Sequence, residues 1–297
     1  MERGKTHNAD ERSESPPTDR VVAILELLSR QSEPSSVASI VSRLELNRST
    51  VTSILVALER AGWVVRRPDL RYVLGPGLLG VAEAVRESLP LPARFDDAIA
   101  ELAQRSGCGA SLALVGTGEM TFLSVVRGQG RVPPGVGAGV RLPLTAPVGA
   151  AVIAHRDART RKRWLASAPT SLRPAFEDVL SQVRTRGVAV FGLGESDPKV
   201  LDVLGEVAEL LAEHPRRVAL RQQVFELLIG LGANPYTVDQ LATRKRLSVG
   251  YLIAPVFNAD GQAAYELQLG PLQSSASAAE RKRYIDEVWA TAAKLSA

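Results

Sequence analysis

Residues 47–64, NRSTVTSILVALERAGWV, join two halves of opposite character. Ser49, Thr50, Val51, Thr52 and Ser53 are β-branched or hydroxyl-bearing and form helices poorly, whereas the stretch from Ile54 to Ala61 forms them readily. On a helical wheel Val51, Leu55 and Leu58 share one stripe. Ser49, Thr52, Ser53, Val56 and Arg60 lie opposite, with Arg48 at the first turn. A helix entering a DNA major groove needs small polar side chains near its N-terminus, so that the backbone can approach the base edges. Ser and Thr also cluster at ordinary helix starts, so the neighbouring segments decide.

Upstream, TDRVVAILELLSRQ places Val21, Ile24, Leu25 and Leu28 at helical spacing behind Thr18 as N-cap. SSVASIVSRLEL repeats the pattern at Val37, Ile40, Val41 and Leu44 behind Ser36, and Asn47 caps the third helix. Downstream of Gly62 the period changes, and WVVRR, PDL and RYVLG predict two short strands around a tight loop. Three helices and a hairpin make a winged helix-turn-helix over residues 18–75. Its DNA-facing residues are expected to be Ser36, Arg48, Ser49, Thr50, Thr52, Ser53 and Arg60, with wing residues Arg66, Arg67 and Arg71 at the phosphates.

The bulk properties are permissive rather than decisive. The chain has 297 residues, 45% apolar and 23% charged, enough for two domains. Its net charge of +4 is too small to prove a nucleic-acid partner, but the bases of the first domain gather at the third helix and wing. One cysteine excludes an intramolecular disulfide framework, and no Cys/His cluster suggests a metal, so neither a metal nor a cofactor is expected. Residues 1–17 are polar and predict a disordered tail with no signal-like apolar core. No apolar run is long enough to span a bilayer, so a cytoplasmic chain without a membrane partner is expected.

After the wing, PGLLGVAEAVRESLP predicts a linker helix within residues 76–90, and residues 91–297 form a mixed domain. Helices are expected over ARFDDAIAELAQRSG, APVGAAVIAH, 157–167, 172–186 and 278–295. Strands are expected at ASLALV, MTFLSVV, VRLPL and GVAV, and a hairpin over VGYLIAPVFNADGQAAYELQLG turns at Ala-Asp-Gly. Residues 198–246 read as largely helical, with Val200, Val203, Leu204, Val207, Leu210 and Leu211 on one face.

These residues resemble a known family. The Ser49-Thr50 pair, Leu55 with Leu58 and Gly62, and the closing Tyr72-Val73-Leu74-Gly75 are similar to the DNA-binding half of the IclR bacterial transcription regulators. VRLPLTAPVGAAVIAH, VRTRGVAV and YLIAPVFNADGQAAYELQLGPL resemble pieces of the family's second half. The resemblance implies an α+β chain. A winged helix-turn-helix and linker helix would precede a GAF-like antiparallel sheet flanked by helices, with a helical insertion at about 195–246. It also implies double-stranded DNA as partner, a palindromic operator, a homodimer or dimer of dimers, and a small-molecule effector.

Departures from the family qualify that picture. Ser53 stands where the family has Arg, so base preference does not transfer. Leu70 replaces a wing-tip Gly, which predicts another loop conformation. Ala150 replaces a common Lys and Val188 a Tyr. The ligand-facing small polar positions of the hairpin align with Tyr251, Leu267 and Leu269. Alternation then puts Tyr265, Leu267 and Leu269 on the cavity face of their strand, and Glu266 and Gln268 on the other. With the backbone N–H groups near Thr145, Ala146 and Gly149 and the Tyr251 hydroxyl as remaining donors, a partly apolar effector is expected. A domain that has lost ligand binding and serves only oligomerisation is the alternative.

An enzyme is not expected. Cys108, between two glycines, reads either as a small buried residue opening a strand or as a thiol nucleophile. His155 reads as a helix C-terminal residue or a base. GLGESD, residues 192–197, lacks the spacing of a dinucleotide loop. TVDQLATRKRL reads as a solvated helix end or a second helix-turn-helix.

Overall fold

In the computed structural model, residues 15–31, 33–89, 95–128, 137–193 and 234–296 are described, with four single helical positions between 203 and 227. The chain divides into two units, the change falling between Ala84 and Val85. Residues 1–14 of the expected tail lie outside the described residues.

In the first unit, α1 spans Pro16–Arg30, so it starts ahead of the expected Thr18 cap. Pro16 and Pro17 enter the helix because a fixed φ and a missing N–H suit its first turn. α2 is Val37–Leu44, and the Ser36 hydroxyl caps it by accepting from the Ser39 N–H at 3.1 Å. α3 is Arg48–Arg60, with Asn47 at the N-cap position but no side-chain cap bond. Ile24, Leu27, Ile40, Leu44, Val51 and Leu55 from the three helices close one buried core. The wing strands are β1, Val64–Arg66, and β2, Tyr72–Leu74, paired antiparallel. Ser35 adds a bridge to Tyr72, bonding it in both directions. α4, Gly77–Ser88, follows the wing.

In the second unit, α5 is Phe95–Ser106, followed by β3, Gly109–Val115, β4, Glu119–Val126, and β5, Arg141–Pro143. The helix expected over APVGAAVIAH is short: α6 holds only Ala150–Ile153, because Gly149 at φ 75° turns the chain just before it. α7, Ala158–Ala166, and α8, Arg173–Arg186, lead into β6, Ala189–Gly192. Most of the insertion, Val200, Leu204, Leu210 and Leu211 included, lies outside the described residues. Val203 and Val207 are helical. Its final part is not simply helical. β7, Asn234–Pro235, pairs with β6, and only Val238–Ala242, α9, is a helix. Then come β8, Leu247–Val249, β9, Tyr251–Phe257, β10, Ala263–Gly270, β11, Gln273–Ala276, and α10, Ala278–Leu295.

The main sheet is antiparallel in the order β5-β4-β3-β10-β9-β6-β7, and β8 pairs with β11 apart from it. Apolar cores lie on both faces. One joins the sheet to α5 and α10 through Ile99, Leu102, Leu112, Ala254 and Val288. The other joins it to α6, α7 and α8 through Ala151, Trp164, Phe176, Val179 and Phe191. The α+β architecture read from the sequence is therefore present.

Candidate functional site

The outer face of α3 is polar and open. Arg48, Ser49, Thr52, Ser53, Val56 and Arg60 are exposed and Thr50 is half-buried, while Val51, Leu55 and Leu58 hold the helix to the core. The Thr52 hydroxyl donates to the Arg48 carbonyl at 2.9 Å. Its proton is thereby used within the helix, and it offers solvent its methyl group and oxygen lone pairs. Ser49 and Ser53 stand one turn apart on the same surface. Ser36 is half-buried with its hydroxyl committed to the α2 cap, so its place in the fold is at that helix start.

The wing presents Arg66, Arg67 and Arg71, all exposed. Its loop is closed by the Arg67 N–H donating to the Arg71 carbonyl at 2.8 Å and the Leu70 N–H to the Arg67 carbonyl at 3.0 Å. Asp69 accepts from the Arg71 N–H at 3.2 Å and lies 4.0 Å from its guanidinium. Leu70 corrects the sequence expectation. Rather than changing the loop, it takes the left-handed conformation itself, at φ 61°. The wing is tied back by glycines: Gly77 donates its N–H to Gly62 at 2.9 Å and Gly75 to Trp63 at 2.7 Å.

The seven residues expected to line an effector cavity are not brought together. Glu266 pairs across the sheet with Pro255, and Gln268 with Ile253, which puts them on the face covered by α6. Tyr265, Leu267 and Leu269 point the other way, into the core shared with α5 and α10. The alternation is as expected, and the set expected to face a cavity lies in that core. The α6 side keeps Gly149, half-buried Ala146 and Tyr251, and exposed Thr145 in the loop before α6. There the Tyr251 ring stacks on Phe191 with centroids 4.4 Å apart.

Glu266, not among the expected site residues, dominates this face. It is wholly buried. Its Oε2 accepts the Ala151 N–H at 2.8 Å, Gln268 donates to Oε1 at 2.8 Å, and the nearby Gly149 amide also favours the charged form. Burial pushes its carboxyl up to about 7 against the lowering effect of these donors. Burial first, and the Glu266 charge second, raise the Tyr251 phenol above its ordinary value. The sequence carried no signal for this, because Glu266 and Gln268 alternate with apolar residues as on a strand with one solvated face.

A family model now bears on this geometry. Residues 17–68 match the IclR helix-turn-helix domain. No curated protein matches the chain. Among solved structures, the Thermotoga maritima IclR is 16% identical with a TM-score of 0.58, over 94% of this chain and 96% of that one. An Alicyclobacillus acidocaldarius regulator is 20% identical with a TM-score of 0.56, over 96% and 98%. An IclR homologue from Microbacterium hydrocarbonoxydans, complexed with 4-hydroxybenzoate, is 17% identical with a TM-score of 0.54, over 94% and 99%. The fold is shared with these IclR regulators along nearly the whole chain, and the resemblance read from the sequence is borne out.

Two departures from the IclR pattern have a structural account. Ala150 is fully buried against the sheet and α8, where a Lys could not keep its ammonium in water. Val188 is buried in the core beside α5 and α10. The remaining chemical candidates fall into ordinary places. Cys108 is buried at the start of β3, and burial raises its thiol pKa, which disfavours the thiolate. His155 is exposed just beyond α6, its ring edge-on to Phe257. Gly192 ends β6, and residues 194–197 lie outside the described residues. TVDQLATRKRL forms the capped single helix α9 followed by β8, not a second helix-turn-helix. Among the described residues no cluster suited to a metal occurs, and no helix is long and apolar enough to cross a membrane.

Proposed function

We propose that the protein is a sequence-specific transcription regulator that binds palindromic double-stranded DNA and responds to a small, partly apolar effector. The observation carrying this is the exposed α3 face of Arg48, Ser49, Thr52, Ser53 and Arg60, flanked by the wing arginines Arg66, Arg67 and Arg71. Thr52 and Ser53 bias base preference, and the wing arginines supply phosphate affinity. Residues 18–75 are the DNA-binding domain, 76–90 the linker helix and 91–297 the effector and oligomerisation domain. The protein works in the cytoplasm, as a regulator rather than an enzyme. One winged helix touches too few bases for genomic specificity, so it acts as a homodimer or dimer of dimers. The exposed Leu79, Val81 and Val85 of α4 support a contact there.

The test is Arg67→Ala, measured by fluorescence anisotropy over a salt series. Affinity should fall alike on operator and unrelated DNA, with the salt slope reduced by roughly one unit for each phosphate no longer neutralised. An unchanged affinity and slope would remove the wing from the interface. Sedimentation of a monomer at micromolar concentration, free and on DNA, would exclude the dimer.

The 4-hydroxybenzoate bound by the Microbacterium homologue is a small, largely aromatic compound, which supports an effector of that size here. A second reading, oligomerisation without a ligand, is favoured by one observation: Glu266 already consumes a backbone donor of the α6 segment, the Ala151 N–H. A broad metabolite panel that never shifts the melting temperature would favour it.

A further inference from the structure

Three backbone donors on the α6 side of the sheet, those of Thr145, Ala146 and Ala151, are in use. The Thr145 N–H donates to Pro143 at 2.8 Å, and the Ala146 N–H to the Ser167 hydroxyl at 2.9 Å. The Ala151 N–H donates to Glu266 at 2.8 Å, and the Gly149 amide favours the charged form of the same carboxyl. The Glu266 side chain cannot easily swing away. It sits on β10, paired on one side with β3 and on the other with β9, and Gln268 from the same face holds its second oxygen. Among the described residues no ion pair neutralises it. A carboxylate-bearing ligand arriving on this face would find the Thr145, Ala146 and Ala151 N–H groups already bonded and a like charge in a poorly solvated place. A neutral or cationic group can instead donate to the lone pairs of Glu266 that its bonds to Ala151 and Gln268 leave over.

We infer that Glu266 sets the ligand class of this face: its carboxylate occupies from within the chain the donors an acid effector would need, so the site refuses carboxylates and takes neutral or cationic ligands. This rests on the effector-responsive reading above for the ligand's existence, but not for the self-occupied donors. Tyr251 adds an aromatic ring stacked on Phe191 and a phenol that feels the Glu266 charge, which suits a flat ligand carrying an amide, alcohol or amine.

Two measurements on the full chain test it. Calorimetric titration compares 4-hydroxybenzoate with its neutral isostere 4-hydroxybenzamide at pH 8. The wild type should bind the amide at least about tenfold more tightly than the acid, and Glu266→Gln, which removes the charge at constant shape, should narrow that ratio at least about fivefold. Equal binding of acid and amide by the wild type, or an unaltered ratio in Glu266→Gln, would overturn the inference. Thermal melting of Glu266→Ala and Glu266→Ser then asks whether the vacated N–H groups take an external anion. Sodium acetate should raise their melting temperatures saturably, beyond sodium chloride of equal ionic strength, with no such rise in the wild type. Truncated chains that acetate neither stabilises nor recovers in folded form overturn the inference. If neither aromatic compound binds the wild type, the effector reading loses support while the acetate result still decides the role of Glu266.

Discussion

The carbonyl oxygen of Gly62 faces the α-carbon of Gly75 so closely that a Cβ on Gly75 would stand 2.3 Å from it. Both partners are backbone, so no flexible side chain can yield. This close approach is where the wing returns to the end of α3, and Gly62 itself stands at φ 72° beyond the helix. It explains why the stretch Tyr72-Val73-Leu74 must end in glycine. Gly75→Ala should cost the first unit about 3 kcal/mol, in the upper range for single substitutions, and weaken DNA binding with it. Urea denaturation checks this. A loss below about 1 kcal/mol would mean that the approach is not rigid.

Leu70 gives the opposite expectation. It is exposed and left-handed at φ 61°, a conformation that costs an L-residue roughly 1–2 kcal/mol. Glycine relieves that strain but loses roughly 0.5–1 kcal/mol through the freedom of its unfolded chain. Leu70→Gly should therefore stabilise the wing by about 0.5–1 kcal/mol, seen as a raised melting temperature. A destabilisation above about 1 kcal/mol would show that the leucine side chain makes contacts that outweigh the strain.

Glu266 should make stability pH-dependent near neutrality. Its folded value of about 7 lies above the ordinary 4.5, so between those values the folded chain binds more protons than the unfolded one. Stability from this group is full below about pH 4.5 and is lost as pH rises through about 7. The span corresponds to roughly 3 kcal/mol. Asp157 and Glu280, whose carboxyls are held below their ordinary values by hydrogen bonds at helix starts, act with opposite sign and only at more acid pH. Glu266→Gln should flatten the profile between pH 5 and 8. A wild-type profile already flat there would contradict the buried, unneutralised carboxylate.

Tyr265 is fully buried, and among the described residues its hydroxyl has no hydrogen-bond partner. An unsatisfied buried donor costs about 1–3 kcal/mol, so removing it should not harm the fold. Tyr265→Phe should be neutral or stabilise by about 1 kcal/mol in thermal or urea unfolding. A loss greater than about 1 kcal/mol would mean that the hydroxyl is bonded in solution.

The first unit was legible in the sequence because its determinants are local. Helical spacing marks a buried face on each helix, and Ile24, Leu28, Ile40, Leu44, Val51, Leu55 and Leu58 all lie in the observed core, with Leu27 added to them. The polar start of α3 and the arginines around the wing turn needed no long-range information to be recognised. Where the reading missed, the cause was also local: the two prolines begin α1 early, and Leu70 tolerates a glycine's conformation.

For the second unit the sequence by itself determined most strands and helices, though not β7 or β11, and not which side of the sheet each helix covers. A strand alternating Tyr265, Leu267 and Leu269 with Glu266 and Gln268 looks half apolar and half polar, which suggests one inner face and one outer. Here both faces are covered, and pairing with β9 and β3 decides that the apolar set meets α5 and α10 while Glu266 meets α6. The pairings of β7 with β6 and β8 with β11 likewise join distant segments through backbone groups, which carry no sequence signature. Periodicity is set within a few residues and can be read directly. The burial of a carboxylate against the amides of a segment more than a hundred residues away exists only once the sheet has closed.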